Sequence, residues 1–202
     1  MKKASIMLAS AILCPMLGRS QTVYDGYEKY YATQNHIFTS TSRIQVSGTL
    51  NTIILWHEKR VDLARAKGFP GEFTENDDLG SDAKAYEDFP FACVEGQSAS
   101  SSGTAVRHMS VYLMQMRQNR QVITYKLPSL FASCLGVRLD AFKRPLFDDA
   151  DYIYPSGSDI PTGVRLEEYM IDKDKFVPTG HSVALDFVEP DNVWKFRVHT
   201  VQ

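Results

Sequence analysis

VRHMSVYLMQMRQNRQVITYKL, residues 106–127, is the stretch on which the fold class turns. Val106–Met116 and Gln121–Leu127 are strand-like runs rich in β-branched, aromatic and other apolar residues. The four polar residues Arg117-Gln118-Asn119-Arg120 between them make a hairpin turn. Met109–Met116 is apolar on both parities, so the strand is expected at the centre of a sheet with both faces covered. His108, beside Arg107 in that run, reads as a hydrogen-bonded structural histidine of the core.

The C-terminal side continues in the same style. Pro128–Leu135 is expected to form a short helix that carries Cys134 and ends at Gly136. Val137–Phe142 alternates as a strand, Asp148–Thr162 with its Pro155-Ser156-Gly157 turn reads as loop, and Val164–Ile171 fits either strand or helix. A second hairpin closes the chain, Ser182–Val188 and Val193–Val201 around Glu189-Pro190-Asp191-Asn192. Trp194, Phe196 and Val198 share one face of its last strand, and Lys195, Arg197 and His199 share the other.

On the N-terminal side, Gln97–Gly103 is a polar connection and Phe89–Val94 an apolar run around Cys93. Residues 72–88, with seven acids against Lys84, are expected as an exposed loop. Glu58–Lys67 has helical spacing at Val61, Leu63 and Ala64 and stops at Gly68-Phe69-Pro70-Gly71. Arg43–Leu55 reads as strand. Val23–Thr33 reads as an amphipathic helix whose Tyr24, Tyr27, Tyr30 and Tyr31 pack on the body or anchor a partner. The sum is about six or seven strands and two or three short helices without repeated βαβ units. That is an α+β chain, mainly antiparallel β, in a small barrel or sheet. Val46-Ser47-Gly48-Thr49-Leu50 is similar to the opening strand of an OB-like barrel.

Lys2-Lys3, the apolar run Ala4–Leu17 and small residues before Gln21 have the layout of a secretory signal, too short for a comfortable membrane span. The expectation is therefore a signal at residues 1–20 and one β-rich domain at 21–202, periplasmic or secreted, with no membrane span after cleavage. Loss of Lys2, Lys3 and Arg19 moves the formal charge from −2 to −5. Loss of Cys14 leaves Cys93 and Cys134, which in an oxidising compartment pair as a disulfide. Closing a loop of that length stabilises the fold by about 3–4 kcal/mol in the chain-entropy model.

No catalytic constellation stands out. Gly96-Gln97-Ser98-Ala99-Ser100 misses the nucleophile-elbow pattern at its last glycine. His36, His57, His108, His181 and His199 are scattered without metal-ligand spacing, so no metal or cofactor is expected. Three acid clusters, Asp148/Asp149/Asp151, Asp172/Asp174 and Asn76/Asp77/Asp78/Asp82, lack the spacing of an EF-hand loop. Charge distribution is more telling. Residues 107–144 carry seven basic residues and one acid, whereas 148–191 carry eleven acids and three basic residues. Either the surface is two-sided or the two blocks neutralise each other. Nucleic acid is excluded as a partner by net charge and compartment.

The reading that follows is a non-enzymatic interaction protein, for example an immunity or inhibitor protein, that binds a protein partner. Its contact residues are expected in the acidic loop at Glu75, Asp77, Asp78 and Asp82 or at the Arg117–Arg120 tip. The alternative is an exported hydrolase or small-ligand module built from distant residues such as His108, His181 and the acid clusters. An envelope-structural accessory protein is a third.

Overall fold

The computed structural model describes residues 22–47, 53–71, 79–97, 103–190 and 192–199. The expected signal at 1–20, Glu75, Asp77 and Asp78 of the acidic loop, Gly48 to Leu50 and most of the polar connection after Gln97 lie outside these residues.

Strands are numbered along the chain. The hairpin that opened the sequence reading is β9 (Ser110–Met116) and β10 (Val122–Lys126), paired antiparallel with Met116 opposite Val122. It lies inside a six-stranded sheet completed by β2 (Thr39–Ser40), β7 (Lys84–Asp88), β8 (Phe91–Gly96) and β6 (Lys67–Gly68), in the order β2-β7-β8-β9-β10-β6. All its pairings are antiparallel except β6 with β10. Both faces are covered, as the double-parity apolar pattern requires. Phe91, Cys93, Val111, Leu113 and Tyr125 point into one core, and Ala92, Val94, Tyr112 and Met114 into another.

The second of these cores is closed by a three-stranded sheet, β3 (Gln45–Ser47), β4 (Ile53–Trp56) and β5 (Lys59–Asp62), which contributes Ile54, Trp56 and Val61. The first is closed by another six-stranded antiparallel sheet, β1-β15-β14-β13-β12-β11. Its members are β1 (Val23–Asp25), β11 (Arg138–Leu139), β12 (Pro145–Ile153), β13 (Gly163–Asp172), β14 (Lys175–Phe187) and β15 (Lys195–His199). Phe147 and Ile171 meet the middle sheet from it. Further along the same sheet, Val164, Leu166, Leu185 and Phe196 pack against α1 (Tyr27–Ala32), whose Tyr27, Tyr30 and Tyr31 are all buried. The tyrosines therefore serve the body of the protein. Among the described residues the architecture is three β sheets, mainly antiparallel as expected, with one short α-helix where two or three are expected from the sequence.

Cys93 and Cys134 form the disulfide, with Cα atoms 5.7 Å apart. It ties β8 to the 3-10 turn Cys134–Gly136. Beside it, Glu95 is buried and its carboxylate is fully engaged. Oε1 accepts from the Tyr86 hydroxyl at 2.8 Å, and Oε2 accepts from Ser133 Oγ at 2.9 Å and from the Cys134 amide at 2.7 Å. Next to it, the main chain of Leu79 packs directly against Gly96. A Cβ there would stand 2.0 Å from the Leu79 carbonyl oxygen, so only glycine fits.

Several expectations change. Glu58–Lys67 is not a helix: β5 pairs with β4, and only Leu63–Arg65 takes a 3-10 turn. Val61 and Leu63 are buried with strand parity and Ala64 is exposed. Of the expected loop at 72–88, Leu79 and Gly80 are buried and Lys84–Asp88 is strand β7. Asp148–Ile153 belongs to β12, not to a loop. Its Asp148 lies directly opposite Glu168, and Arg138 bridges the two carboxylates at 2.7–2.9 and 3.1 Å. Val164–Ile171 is strand. Val106 and Arg107 close a 3-10 turn, Gly103–Arg107, instead of extending β9. His108 is exposed, bonded through Nδ1 to Ser129 Oγ at 2.8 Å, and is no core histidine. Residues 128–135 carry an isolated bridge from Leu130 to His108 and the 3-10 turn at Cys134 in place of a helix.

Candidate functional site

Antiparallel pairing brings the turn ends of neighbouring hairpins together. Phe91 of β8 stands opposite Gln115 of β9, so the Phe89-Pro90 turn and the Arg117–Arg120 turn lie at the same end of the middle sheet. The Met116 amide donates to the Pro90 carbonyl at 2.9 Å and fixes one turn against the other. The β4–β5 turn, His57-Glu58, joins them from the outer sheet, with His57 and Phe89 ring centroids 5.7 Å apart. A groove of about 840 Å³ runs between the three turns, lined by the acid Glu58 and by Lys59, Phe89, Pro90, Met116 and Arg120 among others.

Phe89 is 64% exposed at the groove wall. Phe142 is exposed further still, but it stands apart from the groove under the Arg144 guanidinium. A single exposed ring needs no explanation, whereas Phe89, Pro90 and Met116 beside cations form a continuous mixed surface.

His57 is fixed from behind. Glu87 Oε1 lies 2.7 Å from His57 Nε2 and accepts from the Trp56 indole at 2.9 Å. Partial burial pushes the Glu87 carboxyl up, but the hydrogen bonds from Trp56 and His57 and the nearby charges of His57 and Arg43 outweigh it. The group is held below the usual glutamate range.

A second groove of about 530 Å³ adjoins the first, sharing Lys59 and Arg117 and adding Arg60, Asp62, Arg65, Lys67 and Asp174. Its acids are occupied. Asp62 pairs with Arg65 at 3.6 Å, and Asp174 pairs with Lys67 at 3.3 Å and with Arg117. Asp174 also accepts from the Tyr125 hydroxyl at 2.7 Å. That bond, with the Lys67 and Arg117 charges, holds its carboxyl below the aspartate range. Lys59, Arg60 and Arg120 have no acidic partner among the described residues. The two grooves together are a cationic strip with an aromatic at one end. A strip of this kind suits anionic side chains and a hydrophobic anchor of another macromolecule.

The sequence-expected positions separate. Arg117 and Arg120 stand at the groove, although Arg117 is partly neutralised by Asp174. Asp82 is exposed, accepts from the Ser81 hydroxyl at 3.2 Å, and does not line either groove. Basic middle and acidic flank meet in part internally, through Arg117–Asp174, Arg138–Asp148 and Arg144–Asp172. The histidines do not converge. His57 pairs with Glu87, His181 with Glu168 at 3.4 Å and His199 with Asp186 at 2.8 Å, and no group of three metal-ligating side chains occurs among the described residues. Lys59, His57 and Phe89 were not singled out by sequence. An aromatic and a proline between two strands was the available signal for Phe89. No helix among the described residues is long and apolar enough to cross a membrane. Comparison with protein-family models, curated proteins and solved structures finds no match to this chain.

Proposed function

We propose that the protein is a non-enzymatic binding protein that engages a protein partner with the end of the molecule where the three hairpin turns gather. One observation carries this reading: exposed Phe89 sits in a groove beside Lys59 and Arg120, cations with no ion pair among the described residues. An aromatic anchor within a charged rim is the usual make-up of a protein-binding hot spot. The disulfide supports action in an oxidising compartment, periplasmic or extracellular. An inhibitor or immunity protein, seating its turns against an acidic site of an exported toxin or hydrolase, is the concrete form proposed. Of the two contact regions expected from the sequence, this version uses the Arg117–Arg120 tip.

The experiment places a photo-crosslinking residue at Phe89 and, separately, at Ile160, an exposed position in the loop between β12 and β13. In the native extracytoplasmic extract, one protein is expected to crosslink from position 89 and not from 160. Lys59→Glu with Arg120→Glu should reduce that product at least tenfold, with the thermal unfolding midpoint unchanged. Equal capture from both positions, or indifference to charge reversal, would overturn the reading.

A further inference from the structure

A smaller cavity, about 290 Å³, opens elsewhere, between α1, the 3-10 turn Gly103–Arg107 and the segment around Phe131. Val106, Met109, Phe131 and Trp194 make much of its wall apolar. Tyr27 completes that wall. Its ring stacks on Phe131 at 4.1 Å and meets Trp194 edge-on at 5.9 Å. Tyr27 is 3% exposed, yet its buried hydroxyl has no hydrogen-bond partner. Folded proteins rarely leave such a group unsatisfied, and each instance calls for a reason.

The charges around the cavity can be assigned one by one. Asp25 pairs with Lys29 at 3.5 Å, and Glu28 with Lys84 at 2.9 Å. Glu95 spends both oxygens on Tyr86, Ser133 and the Cys134 amide. Arg107 is different. Its Nη1 donates to the Tyr152 hydroxyl at 2.7 Å, and the guanidinium lies 5.8 Å from the Tyr152 ring centre. Both contacts are with a neutral group, and no carboxylate pairs with Arg107 among the described residues. Arg107 and Tyr27 line the same cavity. The cavity thus combines the Arg107 guanidinium at its wall, a Glu95 carboxylate already saturated by neutral donors, one unused hydroxyl donor and an aromatic floor.

We infer that this cavity binds a small organic monocarboxylate with an apolar body. The carboxylate accepts hydrogen bonds from Arg107 and from the Tyr27 hydroxyl, and the body lies against Phe131, Trp194 and Met109. A single negative charge is what the Arg107 guanidinium can offset, since it has no acidic partner among the described residues. A phosphate dianion would meet Glu95, Glu28 and Asp25 with one cation to offset them. The small volume limits the body to about one ring or a short alkyl chain. This site is separate from the turn-end groove, and it stands or falls independently of the protein-binding reading.

The test is calorimetric titration of the full folded protein with phenylacetate, indole-3-acetate and hexanoate. Phenylacetamide and 2-phenylethylamine serve as neutral and cationic probes of the same shape. Trp194 in the wall gives an independent fluorescence readout of where binding occurs. At least one carboxylate is expected to saturate with one site per chain, and at least tenfold more tightly than the amide or the amine. Arg107→Gln should weaken it by tenfold or more, the loss expected for a charge-assisted bond. Tyr27→Phe should weaken it about fivefold to tenfold while leaving the unfolding midpoint unchanged or higher, because it removes a hydroxyl that the free protein does not use. A purely structural role for Tyr27 would not separate the two readouts. No saturation by any of the three acids up to about 10 mM, tighter binding of the amine, or wild-type affinity in Tyr27→Phe would each overturn the inference.

Discussion

Glu95 carries a carboxylate into the space between the two large sheets and leaves neither oxygen unused. Its inward direction is legible from the sequence, because in Phe91–Gly96 it shares parity with Cys93 two residues before. Its partners are not legible, since Ser133 and Cys134 lie 38 and 39 residues away and only the disulfide hints that they return. Ser133 also caps the 3-10 turn that carries Cys134, accepting from the Leu135 amide at 3.1 Å. Replacing Glu95 with Gln keeps the shape but removes the charge from these hydrogen bonds and sets a donor against the Cys134 amide wherever the amide nitrogen takes the Oε2 place. The expected loss is about 2 kcal/mol, read as a lower urea midpoint at unchanged slope. A change within error would mean that the carboxylate is dispensable to the junction. At the proposed protein-binding end, by contrast, Arg117 and Arg120 were visible as a basic tip, while Lys59 and His57 became neighbours only through tertiary pairing of two sheets.

The two-residue hairpins explain most of what the sequence reading missed. His57-Glu58 joins Trp56 to Lys59, and Lys173-Asp174 joins Asp172 to Lys175, each with both turn residues at positive φ (45° and 62°, 47° and 64°). Such turns normally advertise themselves as Asn-Gly or Asp-Gly, and neither sequence does. Without the signal, Val61 and Leu63 fit a helical period as well as a strand period. Acid-rich Asp148–Asp151 likewise resembled a loop because Arg138, which makes the facing carboxylates tolerable, lies ten residues upstream. The strained turn yields an expectation at this scale. Glu58→Gly relieves a left-handed conformation that costs a non-glycine residue about 1–2 kcal/mol, part of which is offset by glycine's chain entropy. Stability should rise by about 0.5–1 kcal/mol, or about 2 °C in the unfolding midpoint. A fall in the midpoint would show that the Glu58 side chain contributes more than the turn geometry does. The β9–β10 hairpin was readable for the opposite reason: its strands are long, apolar on both parities and separated by an unambiguous polar turn.

The molecule as a whole is bounded by two titrations of opposite sign. Glu87 and Asp174 have folded pKa values below their unfolded ones, so their contribution is complete above about pH 5 and is lost as pH falls through the folded values. Burial acts the other way on tyrosine. It pushes Tyr30 up to about 12 and raises Tyr27, Tyr31, Tyr86 and Tyr125 as well. Their contribution is complete below about pH 10 and is lost as pH rises toward the folded values. The unfolding midpoint should therefore be flat from about pH 5 to 9 and fall on both sides. Asp174→Asn should shrink the acid-side drop, and tyrosinate absorbance should lag on the alkaline side until unfolding occurs. An unchanged acid limb in Asp174→Asn would count against the assignment. The two six-stranded sheets also share a property at their margins. One ends in Val23–Asp25 and Arg138–Leu139, the other in Thr39–Ser40 and Lys67–Gly68, all only two or three residues long. The thirteen-residue Lys175–Phe187 is flanked on both sides. The margin strands themselves offer a stray strand few amides and carbonyls, whereas β12 runs on from Phe147 to Ile153 past its pairing with Arg138–Leu139, so that stretch is the longer edge a neighbouring chain would meet.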